Sequence, residues 1–190
     1  MYALFFEVRP QPGHLKHYFE HVERLRPSLA KQVGLAYLER FTAVQDEDLL
    51  LSHQLWQDEA DIVAWRKDAT HRLAQTAGRK VHFQDYRIRV ARRISHVLGA
   101  RAQLDLPGVS GVGRFMLAAY GTAAVDVPQM HGFESVSRKG RFVSLGAAET
   151  ASEARCQVAA LIGQAGVDEA AAYQVTRDYG MFARDEAPPQ

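Results

Sequence analysis

Residues 49–90, LLLSHQLWQDEADIVAWRKDATHRLAQTAGRKVHFQDYRIRV, carry the pattern that decides the fold. Leu49 to Trp56 reads as an apolar strand that stops at Gln57-Asp58-Glu59-Ala60-Asp61. Asp58 is a good N-cap, and Asp61 places negative charge in the first turn, where the helix dipole favours it. The helix that follows carries Ile62 and Trp65 on one face. Asp68 then caps a second short helix, which contains His71 and ends at Gly78, a residue suited to a C-terminal stop. Asp85 to Val90 alternates charged and apolar residues, the period of a strand.

The flanking sequence completes the unit. Tyr2 to Arg9 reads as a first strand, closed by Pro10-Gln11-Pro12-Gly13. Leu15, Tyr18, Val22, Leu25 and Leu29 recur at three- and four-residue spacing, an apolar stripe for packing on a sheet. Pro27 lies within this stripe and is expected to kink or divide the helix. Gly34 ends it, Leu35 to Phe41 reads as strand two, and Asp46-Glu47-Asp48 is expected to turn into strand three. The order is β-α-β-β-α-β, the ferredoxin-like arrangement.

That order, with its residues, resembles the antibiotic biosynthesis monooxygenase family. The matching residues are Leu55-Trp56-Gln57-Asp58-Glu59, Ala64-Trp65-Arg66, His71-Arg72, Gln75 and the strand Phe83 to Val90. The resemblance reaches back to Met1 and covers the first half of the chain. It implies an α+β, ferredoxin-like domain of the kind that pairs into dimeric α+β barrels, and hence a homodimer.

The second half repeats the pattern in degenerate form. Arg114 to Tyr120 reads as a first strand, and Gly132 to Arg138 echoes Gly34 to Arg40. Val143-Ser144 echoes Leu51-Ser52, and Thr150 to Glu153 forms a capping box before a helix reaching Gln164. Asp178-Tyr179 is read as repeating Asp85-Tyr86, with Met181 where Ile88 stood. No helix fits between Tyr120 and Gly132, Gln157 replaces Trp65, and His71 has no counterpart. The expected organisation is a complete domain over 1–95, a linker over 96–113 and a degenerate ferredoxin-like copy over 114–190. Two such sheets in one chain would bury each other's open faces as an internal pseudo-dimer.

The resemblance implies one of two chemistries. Some members oxygenate anthrones, quinols and related electron-rich phenols without a cofactor; others degrade haem. The first chemistry needs a base, a dry aromatic-walled pocket and a polar group for the reduced oxygen species. His71 is the candidate base, Trp65 and Arg72 complete the catalytic set, and Phe5, Phe6, Tyr37, Arg66 and Gln75 are the candidate substrate contacts. Each has a plainer role to set beside this one: Trp65 as core, His71 as a local hydrogen-bonding partner, Arg72 as a surface ion-pair donor. Gln75 can orient a substrate but cannot act as a base near neutrality. Haem degradation fits less well, because Gln75 and Phe6 stand where those enzymes carry the haem-ligating His and an Asn. No cofactor is therefore expected, and the expected partner is a small aromatic molecule. A non-catalytic binding or assembly protein on the same fold is the alternative.

Several classes fall away on composition. The chain is 47% hydrophobic and 24% charged with net charge +1, so nothing global points to nucleic acid. Arg87, Arg89, Arg92 and Arg93 form one basic run, expected to be a solvated strand edge. Cys156 stands alone, which excludes an intrachain disulfide and a cysteine zinc site. No apolar run approaches the ~20 residues of a membrane span, and the N-terminus lacks signal-peptide character, so a cytoplasmic protein with no membrane partner is expected. His14, His17 and His21 share one side of helix one at metal-ligand spacing but have no carboxylate or cysteine companion, and are expected to line a solvated face with no metal. Gly108 to Gly113 lacks the ending and context of a phosphate loop.

Overall fold

A computed structural model describes residues 1–188. Its strands are β1 (Tyr2–Pro10), β2 (Leu35–Ala43), β3 (Asp46–Trp56), β4 (Phe83–Leu98), β5 (Arg101–Gln103), β6 (Val112–Gly121), β7 (His131–Ser135), β8 (Phe142–Thr150) and β9 (Val167–Gly180). The helices are α1 (Leu15–Leu29), α2 (Glu59–Lys67), α3 (Ala69–Ala77) and α4 (Ala151–Leu161), with a π-helical turn at Gly78–His82.

In the first half β1 lies between β3 and β4, and β2 flanks β3, the ferredoxin-like order. In the second half β6 lies between β8 and β9, and β7 flanks β8, which is the same order. Antiparallel seams β2–β7 and β4–β9 join the halves. The ring β4-β1-β3-β2-β7-β8-β6-β9 therefore closes on itself, an eight-stranded α+β barrel within one chain. β5 hangs outside it on the end of β4.

Side-chain alternation fills the barrel with Phe5, Phe41, Leu51, Ala91, Met116, Tyr120, Phe133 and Tyr173, all buried. On the outer face of the first half α1 and α2 pack against the sheet, and α3 lies against those two helices. That of the second half carries α4, which packs Ala151, Ala154 and Val158 against the small residues Ala119, Ala170 and Ala172. The missing helix is replaced by the loop after β6. There Val125 is buried with its N–H on Ser144 Oγ (2.8 Å), and Met130 fills the space over Gly146, where a Cβ would lie 2.3 Å from its sulfur.

The structure corrects several expectations. α1 is not divided at Pro27, which falls in its last turn. The turn into β3 is Val44–Gln45, and Asp46 already pairs with Ala43. The repeat is correct in topology, but two of its echoes are out of register. Phe41 faces Leu51 and Phe133 faces Val143, so Phe133 corresponds to Phe41, and Gly132 to Arg40. Asp178 and Tyr179 pair with Arg89 and Ile88 at the far end of β9, not at its start where Asp85-Tyr86 sits on β4. The basic run is no solvated edge. Arg87 pairs with Asp178, Arg89 with Glu7 and Arg93 with Asp105, the last two largely buried. Residues 96–113 carry the end of β4, β5 and the first residues of β6.

Candidate active site

A cavity of about 730 Å³ lies between the outer face of the first-half sheet and its three helices. That volume falls in the range of small-molecule sites. Its floor follows from strand register: Ile88, Phe6, Ser52 and Arg40 form one cross-strand row, and Val90, Leu4 and Gln54 the row beside it. Tyr18, Val22, Leu25 and Leu29 of α1 form one wall. Ile62, Trp65 and Arg66 of α2 and His71, Arg72 and Gln75 of α3 form the other. The end of the chain adds Tyr179, Met181, Phe182, Arg184 and Pro188.

The break between α2 and α3 builds the polar corner. Asp58 caps α2 by accepting from Ala60 N–H (2.9 Å), with Asp61 returning to the Asp58 N–H (3.2 Å). Asp68 leaves helical geometry at ψ 131° and caps α3 by accepting from His71 N–H at 2.9 Å. Ending α2 there frees its last carbonyls. The Trp65 carbonyl takes His71 Nδ1 (2.9 Å), and the Arg66 carbonyl takes Gln75 Nε2 (3.1 Å). The His71 ring consequently stacks on Trp65, centroids 4.1 Å apart and planes 15° from parallel.

Nδ1 lies 2.9 Å from the Trp65 carbonyl, which can only accept, and 3.1 Å from Gln75 Nε2; with the proton placed on Nδ1 for the closer carbonyl, Nε2 is the ring nitrogen with a free lone pair. Burial, partly opposed by the Trp65 carbonyl, lowers the His71 pKa to about 4, so the imidazole is neutral at ordinary pH.

The cavity is apolar in its walls and cationic in its charges. Arg40, Arg66, Lys67, Arg72, Arg79, Lys80, Arg177 and Arg184 line it, against one carboxylate among the described residues, Glu59, which accepts from Arg177 Nε at 2.9 Å. Arg66 and Arg184 are tied to the chain's end: each guanidinium lies over the Tyr179 ring, and Arg184 also donates to Tyr86 Oη at 2.7 Å.

Six of the eight residues singled out in the sequence, His71, Trp65, Arg72, Phe6, Arg66 and Gln75, line this cavity. Phe5 and Tyr37 do not. They point into the barrel, where each packs on the His53 ring. Phe5 and Phe6 are adjacent on one strand and cannot share a face. Sequence reasoning missed Arg40, Ser52 and Tyr18 on the floor and wall, and the whole C-terminal segment.

The histidines of α1 also differ from expectation. His14, His17 and His21 gather at His82 of the π-turn, with His14 Nδ1 3.1 Å from His82 Nδ1 and the His17 and His21 rings 5.0 and 5.2 Å from that of His82. Burial and the neighbouring imidazoles hold the His82 pKa below its usual value. Among the described residues no group of three or more His, Cys, Asp or Glu is arranged to hold a metal ion. No helix among them is long and apolar enough to cross a membrane.

The family described as antibiotic biosynthesis monooxygenase matches residues 1–77. A curated relative from Pyricularia oryzae, named jasmonate monooxygenase ABM, is 32% identical over 216 aligned residues, spanning 99% of this chain and 97% of that protein. A crystal structure of an antibiotic biosynthesis monooxygenase aligns at 14% identity and a TM-score of 0.42 over 47% of this chain and 95% of that one. A crystal structure of an anthrone oxidase-like protein aligns at 11% identity and a TM-score of 0.43 over 99% of this chain and 96% of that one.

Proposed function

The chain belongs to the antibiotic biosynthesis monooxygenase family, and on that premise we propose that it oxygenates a small, electron-rich aromatic substrate of the anthrone or quinol type without a cofactor. The observation that carries this reading is the His71–Trp65 pair on the wall of a largely apolar cavity of about 730 Å³.

The chemistry follows from those groups. His71 Nε2 takes the acidic proton of the bound substrate, and its burial disfavours imidazolium unless an anion forms beside it, so proton transfer and anion formation support each other. The anion gives electrons to dioxygen, a carbon–oxygen bond forms, and water leaves. For an anthrone-like methylene, both C–H bonds break and one atom of dioxygen becomes the ketone oxygen. The other oxygen atom leaves with the two hydrogens as water, so the carbon is oxidised to the extent that dioxygen is reduced. Trp65 and Phe6 offer flat apolar surface to the ring, and the exposed Arg72 guanidinium offers positive charge to the reduced oxygen species. A second reading rests on the Pyricularia relative, whose 32% identity spans both halves of the chain; jasmonate therefore joins the substrate panel.

The test is oxygen uptake by metal-free protein with anthrones, naphthoquinols, catechols and jasmonate. Turnover without flavin or metal is expected, with His71→Ala slower by at least about 10²-fold, the usual worth of a general base. The acid limb of kcat/KM is expected near pH 4, since the base titrates there, instead of near 6.5. A folded protein that takes up no oxygen with any of these substrates would replace the oxygenase by a small-molecule binding protein.

A further inference from the structure

The floor of the cavity holds a set of hydrogen-bond donors that the proposed oxygenation does not use. Arg40 projects from β2 between Ser52 of β3 and Tyr18 of α1. Its Nε is shielded from solvent and has no hydrogen-bond partner among the described residues. Arg89, Arg92 and Arg155 share that feature at Nε, but Arg89 and Arg155 are engaged through another nitrogen, with Glu7 and with the Leu106 carbonyl, and of the four arginines Arg40 alone lines the cavity. A shielded guanidinium nitrogen left without an acceptor is costly, and proteins keep one where something completes it.

The neighbours of Arg40 are donors as well. Ser52 and Tyr18 are buried. Ser52 Oγ accepts from Gln54 Nε2 at 3.4 Å, which leaves its own proton for another acceptor. The Tyr18 hydroxyl lies beside the guanidinium and carries a proton of its own. Among the described residues no carboxylate answers them, because Glu59, the one acid these contribute to the lining, is taken by Arg177. One planar acceptor with two oxygens and a single negative charge satisfies an arginine fork and two hydroxyls together, whereas a phosphate dianion would bring more charge into a low-dielectric pocket than one deep arginine neutralises.

We propose that Arg40, Ser52 and Tyr18 form a carboxylate subsite, and that the substrate is an apolar molecule bearing one carboxylate, seated on the sheet floor with its body against Phe6, Ile88 and Trp65. This rests on the reading of the cavity as the substrate site. It adds a specificity determinant set apart from the reacting centre at His71. Arg40 sets which substrates enter and how they lie, and takes no part in proton transfer.

The experiment measures binding of anthraquinone-2-carboxylate and of its methyl ester, followed by quenching of tryptophan fluorescence and by calorimetry. Wild type is expected to hold the acid at least tenfold more tightly than the ester, with the difference shrinking at high salt. Arg40→Met keeps the volume and removes the charge; it is expected to bring the acid down to the affinity of the ester and leave the ester unchanged. Arg40→Lys should restore part of the difference, and Ser52→Ala should lose a smaller part. Equal affinity of acid and ester in wild type would overturn the subsite while leaving the cavity as a ligand site. Failure of both compounds to bind wild type would overturn the subsite and the reading of the cavity together. If Arg40→Met does not fold, the wild-type comparison and Ser52→Ala still decide.

Discussion

His53 shows how far the barrel interior governs one side chain. It is fully buried, stacked on Phe5 at 4.5 Å, with Nε2 2.6 Å from Tyr120 Oη and Nδ1 3.4 Å from the Leu4 carbonyl. One tautomer satisfies all of this: Nδ1–H donates to Leu4, and the Tyr120 hydroxyl donates to Nε2. Burial lowers its pKa to about 4, as it does for His71. Both folded values lie below the unfolded value of ~6.5, so the stability from keeping these rings neutral is complete above pH 6.5 and is lost as pH falls through about 4. The melting temperature is therefore expected to decline between pH 6.5 and 4. In His53→Leu the decline should be shallower although the protein is less stable at pH 7, where Tyr120 loses its acceptor. An unchanged slope would mean that His53 is not the buried neutral group described.

At the scale of elements, the path from α3 to β4 shapes the site. Gly78 is the C-cap of α3, as the sequence suggests, but its φ of −54° is helical and the chain continues through the π-turn to His82. Glycine is required there for space, since a Cβ would lie 2.3 Å from the Phe83 ring. Phe83 lines the cavity, and His82 meets the α1 histidines. Gly78→Ala should force the ring and the turn apart, at about 1–3 kcal/mol by the usual cost of overpacking, and weaken ligand binding as well. A variant with wild-type melting temperature and affinity would show that the turn yields freely. Caps at Asp58 and Asp68 and the alternation of β4 were legible because they depend on neighbours in sequence. The π-turn and the His82 cluster were not, because spacing does not report which helix a turn will meet.

For the whole molecule, closure of the ring inside one chain changes what the family resemblance implies. The β2–β7 and β4–β9 seams occupy the edges through which single ferredoxin-like domains would pair, and they carry ion pairs, with Glu39 on Arg138 at one and Arg87 on Asp178 at the other. The segment Met1 to Arg93 on its own would expose both edges and lose the Tyr179–Pro188 wall of the cavity. It is expected to self-associate and to bind no ligand. A soluble monomer of full thermal stability would refute the dependence of the first half on the second. A homodimer of the full chain is proposed to use outer surfaces such as the β5 edge, so its dilution should leave the melting temperature unchanged; unfolding on dissociation would contradict internal closure.

The ferredoxin-like order, the broken helix with its caps, and the cluster of Trp65, Arg66, His71, Arg72 and Gln75 are legible in the chain's local pattern, since hydrophobic period and capping are set within a few residues. Which face each strand residue occupies follows from how the sheet packs. That packing sent Phe5 and Tyr37 into the barrel and brought Arg40, Ser52 and the C-terminal segment to the cavity. The register of a repeat, and the pairing of a strand with another some 80 residues away, are fixed by long-range hydrogen bonding and packing, which local pattern does not encode.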